Sequence, residues 1–410
     1  MNRILIIIGG HLSSAPRPQK EAAVACAAGF KVTILGVWWS DQLAKEDVEL
    51  AESIGVEFRP VVDLRNGKSL RFCIRLKQRI ARDLFRWTGL VSPRILGTGA
   101  PEILREALRI RADLTMVHSE VGLWVAEKLL RHVYNVGVDF EDWFSQDLLP
   151  EDRVERPVVM LQRLERTLLH KANLTLTTTG VMAEALAQDA SCDRIPETIP
   201  NCFSWDQAPH INQTRELCDE RDPAALSLYW FSQTIGPGRG LETLAQALLE
   251  LKGSWQLHLR GELRNHRAWF DAAFPETLRD RVVLHECTSN QDLPAKSVSH
   301  DVGLALEIPY SQNKDLTASN KIFEYLRCGL AVVATDTRGQ LEVMNACPEA
   351  GWIVPSGDVD ALRLCLQHLL DGAVDLRRAK KKALEAAAGP WAWENHALHL
   401  KELLLSVVKD

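Results

Sequence analysis

The chain has 410 residues, more than one hydrophobic core usually serves, so we expect two domains. Apolar residues make up 46% and charged residues 25% of it, with both signs of charge mixed, which excludes a disordered or fibrous protein. The net charge of −6 is unlike that of a nucleic-acid-binding protein, and no apolar run approaches the roughly 20 residues that cross a bilayer.

The N-terminal apolar run at 4–8 is too short for the core of a signal peptide and predicts a first β-strand. Nine cysteines are scattered along the chain without a C-x-x-C pair. This pattern is typical of free thiols in a reducing cytoplasm and predicts no zinc site. We therefore expect a cytoplasmic protein.

Short apolar strands alternate with helical segments through the first half of the chain, as in parallel α/β domains. The predicted strands of this half are, in chain order, 4–8, 31–37, 56–62, 114–117, 133–138 and 174–178. Predicted helices cover 21–28, which Gly29 ends, and begin again near Val181.

Polar residues follow several of these strands. His11 and Arg17 come after the first strand, His118 after the fourth, and Asp139 and Asp142 after the fifth. Because the carboxyl ends of parallel strands carry the ligand loops, these residues are candidates for a binding or catalytic site. The acidic run at 139–142 offers oxygen ligands for a metal, but such runs are more often solvated loops, so we predict no metal there.

The segment 65–94 is strongly basic, with nine basic residues and one acid, Asp83. Apolar residues recur in it at helical spacing with arginines between them, which predicts an amphipathic helix. Two interpretations stay open: a solvated helix packed on its own domain, or a helix that contacts an anionic membrane surface.

A second strand–helix series follows a polar stretch at 205–223, which we interpret as the interdomain linker. Its predicted strands are 226–231, 255–259, 281–284, 302–306 and 330–334, with a helix at 240–251. The bulky sequence at 390–393 precedes a predicted C-terminal helix at 394–408. The domains are therefore predicted at 1–204 and 224–388, with 389–410 crossing back to the first domain.

The loop at 231–240, between a strand and a helix, contains three glycines and Arg239. A tight loop at a helix start can point backbone N–H groups at an anion, and the guanidinium adds charge. Such loops are also common as purely structural turns. We interpret this one as a phosphate site that includes Ser232, Gln233, Thr234 and Gly238.

A helix at 321–328 is predicted to begin with a cap at Thr317 or Ser319 and to end at Gly329 in a left-handed conformation. A fully apolar strand at 330–334 follows, as in a sheet covered on both faces. Glu324 on this helix can accept hydrogen bonds from two ribose hydroxyls, although a solvent-facing glutamate would show the same spacing.

These residues together resemble the group 1 family of retaining nucleotide-sugar glycosyltransferases, over nearly the whole length of the chain. The most specific match is Asn320-Lys-Ile-Phe-Glu-Tyr-Leu-x-x-Gly-Leu-x-Val-Val-Ala-Thr-Asp336. Weaker matches are Ile199-Pro-Asn201, Gly238-Arg-Gly-Leu-Glu242 and Gly303-Leu-Ala-Leu306. The resemblance implies the GT-B fold, in which two Rossmann-like parallel-sheet domains face each other across a cleft.

The resemblance also implies roles for individual residues. Glu324 would hold the donor ribose and Arg239 the diphosphate, with Ser319 and Asn320 near the phosphates and His118 near the transferred sugar. His118, Arg239 and Glu324 are then the catalytic candidates. The acceptor would be a glycan or a lipid-linked molecule bound by the first domain, for which His11, Arg17, Asp139 and Asp142 are the candidates. The resemblance implies no metal, no other cofactor and no nucleic acid. Together with the basic segment, the resemblance suggests a peripheral enzyme at the inner face of the plasma membrane.

Two positions depart from the family pattern. Leu316 stands where the family often has a sugar-binding glutamate, so Glu307 or Asp315 would have to replace it. Thr234 stands where the family often has an arginine, and its hydroxyl can bind phosphate only without charge. Two alternatives therefore stay open: a catalytically weak GT-B scaffold that binds a partner, and a nucleotide-sugar epimerase.

Overall fold

The computed structural model describes residues 2–65, 67–149, 151–206, 208 and 224–409, except the side chains of 68–70, 152, 155, 373 and 409. The chain divides into two compact units. The first comprises Met1–Ile199 and His396–Asp410, and the second comprises Pro200–Asn395. Most of the predicted linker at 205–223 lies outside the described residues.

A parallel sheet of seven strands forms the centre of the first unit, in the order β3-β2-β1-β4-β5-β6-β7. Its strands are β1 Arg3–Ile7, β2 Lys31–Trp38, β3 Glu57–Asp63, β4 Leu114–Val117, β5 Val136–Phe140, β6 Leu174–Thr177 and β7 Glu197–Thr198. Strand β3 contains Pro60, which cannot donate to a ladder, and it accordingly lies at an edge of the sheet. Strand β1 pairs with β2 on one side and β4 on the other, so the loops after β1 and β4 meet at a topological switch point.

Seven helices follow the strands of the first unit in the described part of the chain. They are α1 Pro16–Ala27, α2 Asp41–Ile54, α3 Lys68–Thr88, α4 Ala100–Ile110, α5 Ser119–Leu130, α6 Val158–Lys171 and α7 Gly180–Ala190. Short 3-10 turns lie at Pro93–Ile95, Phe144–Gln146 and Asp152–Glu155. Because each crossover carries a helix, the strands stay parallel and the central ones are buried.

The second unit has a parallel sheet of six strands in the order β10-β9-β8-β11-β12-β13. The strands are β8 Leu226–Thr234, β9 Trp255–Glu262, β10 Val282–His285, β11 Val302–Ala305, β12 Ala331–Thr335 and β13 Gly351–Val354. Here β8 lies between β9 and β11, so a second switch point lies at the ends of β8 and β11.

The helices of the second unit alternate with its strands. They are α8 Leu241–Leu249, α9 Arg267–Ala273, α10 Glu276–Arg279, α11 Leu293–Ser297, α12 Gln312–Leu316, α13 Asn320–Arg327, α14 Arg338–Asn345, α15 Val359–Asp371 and α16 Ala373–Ala388, with a 3-10 turn at Pro348–Ala350. The last helix, α17 Trp393–Lys409, spans the boundary between the units.

Two apolar clusters fill the second unit. Trp230 belongs to one and its neighbour Tyr229 to the other, and both side chains are fully buried. Successive side chains of a strand point to opposite faces, so the two clusters lie on the two sides of β8. This burial on both faces explains why the strands of the sheet read as continuous apolar runs.

The predicted fold class is confirmed, since each unit is a Rossmann-like parallel sheet with helices. Some predicted boundaries were wrong. Strand β5 begins at Val136 and not at Val133, which is exposed with φ of 62°. The strand ends at Phe140, so Asp139 lies inside it. Strand β8 continues to Thr234, because its pairing with β9 resumes after an irregularity. Helix α1 begins before Arg17, which was predicted in a loop.

Among the described helices, none combines the length and the apolar character that a membrane crossing requires.

Candidate functional site

The first unit contains a cluster of charged side chains, which we call the His118 cluster: Arg17, Glu21, His118, Asp139 and Glu141. The first four are buried and Glu141 is half-buried. Helix α1 supplies the first two, and His118 directly follows β4. Asp139 lies in β5 and Glu141 directly after it. Because β1, β4 and β5 are neighbours, their carboxyl ends bring these residues together at one edge of the sheet.

Both ring nitrogens of His118 contact carboxylates. Its Nδ1 lies 2.5 Å from Oε1 of Glu141 and its Nε2 lies 2.6 Å from Oε2 of Glu21. A carboxylate only accepts, so both nitrogens donate and the ring is an imidazolium. Burial alone would lower the pKa of His118, but the charge of Glu21 and the hydrogen bonds of both carboxylates raise it to about 10.

The carboxylates of the cluster respond to this charge in different ways. Burial alone would raise the pKa of Glu141, but its hydrogen bond to His118 and the charges of His118 and Arg17 together lower the pKa. For Asp139, burial outweighs the charge of Arg17, and the pKa is raised. His118 is thus a hydrogen-bonding cation at neutral pH, and it is not a free proton acceptor.

Arg17 connects α1 to the strand ends. Its Nε donates to Oδ2 of Asp139 at 2.5 Å, and its terminal nitrogens donate to the carbonyl oxygens of Ile199 and Thr177 at 2.6 and 3.3 Å. The guanidinium is therefore engaged on every side and is 5% exposed. The structure therefore places this predicted acceptor residue in contact with the ends of three strands or their loops.

Several polar atoms around His118 have no hydrogen-bond partner among the described residues: Oε1 of Glu21, Oδ1 of Asp139 and Oγ of Ser119. Ser119 also has a φ of 68°, a conformation that costs a serine roughly 1–3 kcal/mol and that clusters at functional sites. Buried acceptors without partners are costly. These oxygens can accept hydrogen bonds from the hydroxyl groups of a ligand or from ordered water.

Glu21, His118 and Asp139 each bring one metal-ligand atom within 4.8 Å of the others. Both nitrogens of His118, however, lie within hydrogen-bond distance of carboxylates, so neither nitrogen is open to a metal in this arrangement. The neighbouring Arg17 supplies positive charge in the place of a cation. The contacts therefore fit a charged hydrogen-bond network better than a metal centre.

His11, another predicted acceptor residue, is 1% exposed and engaged within the first unit. Its Nδ1 donates to Oδ2 of Asp47 at 2.7 Å, and its Nε2 accepts from the backbone N–H groups of Trp39 and Ser40. His11 thus connects the loop after β1 to the start of α2. Asp142 is half-buried beyond the end of β5, beside Glu141 in the chain.

In the second unit, the glycine-rich turn joins β8 to α8. Gly238 and Gly240 have φ of 71° and 75°, and a Cβ atom on Gly240 would lie 2.2 Å from the carbonyl oxygen of Leu306. The turn therefore contacts the end of β11 closely, and only glycine fits there. One N–H group of the turn is occupied, since Gly238 donates to Oε1 of Glu242 at 3.1 Å.

Arg239 is exposed at this turn, and one of its terminal nitrogens donates to Oγ of Ser232 at 3.0 Å. Gln233 is exposed and Thr234 is half-buried at the end of β8. The structure thus brings together the predicted phosphate-binding groups of the strand end and the loop. An exposed guanidinium beside a hydroxyl is suited to binding phosphate oxygens.

Helix α13 begins as the sequence predicted. Of the two candidate caps, Ser319 accepts from the backbone N–H of Lys321 at 3.4 Å, and Gly329 is left-handed at the helix end with φ of 68°. Asn320 is exposed, and its Oδ1 accepts from Nδ2 of Asn201 at 2.9 Å. The helix start is therefore partly open to solvent.

Glu324 is fully buried and paired with a residue of its own helix. Its Oε2 accepts from Nε and a terminal nitrogen of Arg327 at 2.8 and 2.6 Å. The guanidinium of Arg327 lies 4.0 Å from the ring of Phe203. Sequence reasoning missed this partner, although a spacing of three residues on a helix is the usual signal for such a pair.

The two acids considered as replacements for the missing glutamate are both paired. Glu307 accepts from Nζ of Lys321 at 2.6 Å; burial alone would raise its pKa, but the charge and hydrogen bond of Lys321 lower it. Asp315 accepts from the backbone N–H of Arg338 at 3.1 Å and from its Nε at 2.6 Å. Leu316 is fully buried and belongs to the interior of the unit.

Comparisons with known proteins agree with this architecture. Residues 228–372, inside the second unit, match the family model described as glycosyl transferases group 1. No curated protein is a detectable sequence relative of the chain.

Solved structures resemble the chain over nearly its full length. Sucrose-phosphate synthase from Thermosynechococcus elongatus has a TM-score of 0.74 and 15% identity, covering 99% of both chains. Anabaena HepE, in a complex with UDP and glucose, has a TM-score of 0.71 and 14% identity, covering 99% of this chain and 100% of that one. A mutant of S. aureus TarM, crystallised with UDP, fondaparinux and α-GlcNAc-glycerol, has a TM-score of 0.65 and 10% identity, covering 100% of both. The chain therefore has the GT-B fold, and residues 228–372 of its second unit are similar to the group 1 glycosyl transferases.

Proposed function

We propose that the protein is a glycosyltransferase that moves a hexose from a nucleotide diphosphate sugar to a glycan or lipid-linked acceptor. Retention of configuration and a role in polysaccharide or glycoconjugate biosynthesis are parts of this proposal. The observation that carries it is the exposed Arg239 beside Ser232, in the domain that matches the family model. These groups lie at a switch point of a parallel sheet, where such folds bind nucleotides.

The second unit would bind the donor. Arg239, with Ser232, Gln233, Thr234 and the turn at Gly238, would hold the diphosphate and stabilise it as the leaving group. Helix α13 would add the positive end of its dipole at Ser319 and Asn320. Glu324 would have to become accessible to accept hydrogen bonds from the ribose hydroxyls, since it is fully buried, with Oε2 paired to Arg327 and Oε1 accepting from Sγ of Cys328 at 3.5 Å.

The first unit would bind the acceptor. The partnerless oxygens of Glu21 and Asp139 are suited to hydroxyl groups, and the imidazolium of His118 lies beside them. His118 would then contribute positive charge and positioning rather than remove a proton. The charges of Arg17 and His118 occupy the place of a metal, so we propose transfer without one.

Two similar structures suggest which donors to test first. HepE was crystallised with UDP-glucose, and TarM with UDP. A UDP-hexose is therefore our first choice of donor. We place the enzyme in the cytoplasm, at the inner face of the plasma membrane, where a lipid-linked acceptor would be met.

A thermal-shift screen of nucleotide diphosphate sugars, followed by donor turnover, tests the proposal. A bound donor raises the apparent melting temperature by mass action. We expect one nucleotide sugar to do so and to be hydrolysed slowly without acceptor. If no nucleotide sugar in the panel stabilises the protein or is turned over, the proposal is refuted and the scaffold function remains. Release of free nucleotide together with an epimerised sugar would indicate an epimerase.

A further inference from the structure

Helix α3 of the first unit exposes apolar side chains that the sugar-transfer proposal does not use. Five of them recur along the helix at three- and four-residue spacing, and we call them the outer stripe. Their exposed fractions are Phe72 65%, Leu76 43%, Ile80 56%, Leu84 42% and Trp87 87%. Soluble proteins rarely expose a continuous apolar stripe, which extends here for about 22 Å at 1.5 Å per residue.

A different face of α3 packs on the first unit. Ile74, Gln78 and Phe85 are half-buried and Ala81 is buried, and Nε2 of Gln78 donates to Oγ1 of Thr98 at 2.8 Å. With about 100° per residue, this face lies roughly opposite the outer stripe. The stripe is therefore not the core-facing side of an ordinary amphipathic helix. Such a helix has polar residues on the side that faces solvent.

Basic residues flank the outer stripe. Arg75, Arg79, Arg82 and Arg86 are exposed and follow one another at spacings of three and four residues, so they form one flank of the helix. Lys77 lies on the other flank. The helix contains one acid, Asp83, whereas the whole chain has a net charge of −6, so this charge is local and not a general property of the surface.

We infer that α3 lies on an anionic lipid bilayer, with the outer stripe in the acyl boundary and the arginine flank against the lipid phosphates. The combination of a solvent-facing apolar stripe with a cationic flank is what an interfacial helix needs. A second copy of the chain would meet the same arginines face to face, so charge complementarity favours an anionic surface. This inference specifies the membrane part of the proposed function.

Co-sedimentation with lipid vesicles, without donor or acceptor, tests the inference separately from sugar transfer. We expect retention by vesicles of phosphatidylcholine mixed with phosphatidylglycerol, little retention by phosphatidylcholine alone, and weakening by salt. The variant Phe72→Ser/Ile80→Ser/Trp87→Ser should reduce retention by roughly tenfold or more, since it removes large inserted side chains. The double variant Arg75→Glu/Arg82→Glu should do the same, because one arginine near an anionic surface contributes about fivefold.

Matched controls change equally exposed residues elsewhere in the same unit. Val133→Ser/Val159→Ser/Leu398→Ser removes apolar surface, and Arg105→Glu/Arg109→Glu reverses charge. Both should bind vesicles like the wild type. Equal retention of the α3 variants and the wild type would overturn the inference. A dimer detected by light scattering without lipid would also overturn the inference if the triple serine variant abolished it. A second copy of the chain would then cover the stripe.

Discussion

The Nε2 atom of His118 lies 2.6 Å from a carboxylate oxygen of Glu21, although 97 residues separate them in the chain. They meet because β4 pairs with β1, which places the loop after β4 beside the helix that follows β1. Each residue alone would be costly to bury as an ion, whereas the pair stabilises both charges. This contact organises the polar centre of the first unit.

The His118 contacts predict a pH-dependent stability. The pKa of His118 rises from an ordinary 6.5 to about 10 in the folded chain. Its stabilising effect is therefore full below pH 6.5 and is lost as the pH rises through about 10. The variant His118→Gln should be roughly 3–5 kcal/mol less stable near neutral pH, because it leaves buried carboxylates unpaired.

Urea unfolding across this pH range measures the effect. The difference between wild type and His118→Gln should shrink towards pH 10, whereas the exposed His132→Gln should show almost no difference at any pH. A difference that stays constant between neutral pH and pH 10 would contradict an imidazolium at position 118.

The Arg17–Asp139 pair predicts a strongly non-additive double mutant. Arg17→Met leaves Asp139 buried without its charged partner and should cost roughly 3–5 kcal/mol. Adding Asp139→Leu removes that uncompensated charge and should restore part of the loss. Chemical unfolding of both single variants and the double variant measures the coupling, and additive losses would show that the pair is not a unit.

The glycine-rich turn offers a matched pair of substitutions. Gly238 and Gly240 both have positive φ, but space is open around Gly238, whereas a Cβ on Gly240 would collide with the backbone of Leu306. Gly238→Ala should cost about 1 kcal/mol from backbone conformation alone. Gly240→Ala should lower the free energy of unfolding several times more, as measured by thermal or urea unfolding. Equal losses for the two variants would mean that the turn shifts to make room without an energetic penalty.

Arg239 should matter for donor turnover and little for stability, because it is exposed. If it holds the diphosphate, Arg239→Ala should reduce kcat/KM for the donor by roughly a hundredfold, as expected when one electrostatic stabiliser of a leaving group is lost. The exposed Arg267→Ala in the same unit is the control. Unchanged turnover in Arg239→Ala would remove this residue from the proposed site.

Glu307 and Asp315 compete for the role of the missing sugar-binding carboxylate. Glu307 lies two residues beyond the end of β11, near the switch point, and accepts from Nζ of Lys321, whereas Asp315 accepts two hydrogen bonds from Arg338. We therefore expect Glu307→Gln to lower kcat more than Asp315→Asn does with the same donor. Steady-state kinetics of both variants decides, and the reverse order would assign the role to Asp315.

Local sequence patterns were enough to predict the alternation of strands and helices and the cap and end of α13. Boundaries that depend on pairing between distant segments were predicted less well. Strand β8 extends through Ser232 and Gln233 only because β9 offers a partner as far as Glu262. No property of the residues 226–234 alone shows where that pairing stops.

The sequence by itself determined two parallel α/β domains, because the conformations of apolar runs and glycine turns depend mainly on residues that are neighbours in the chain. It also indicated His118, Arg239 and Glu324 as residues of interest. Only the tertiary structure decided their state: His118 as an imidazolium between Glu21 and Glu141, and Glu324 buried against Arg327. Charge states depend on burial and on partners from distant segments, and those arise only when the strands pair and the helices pack.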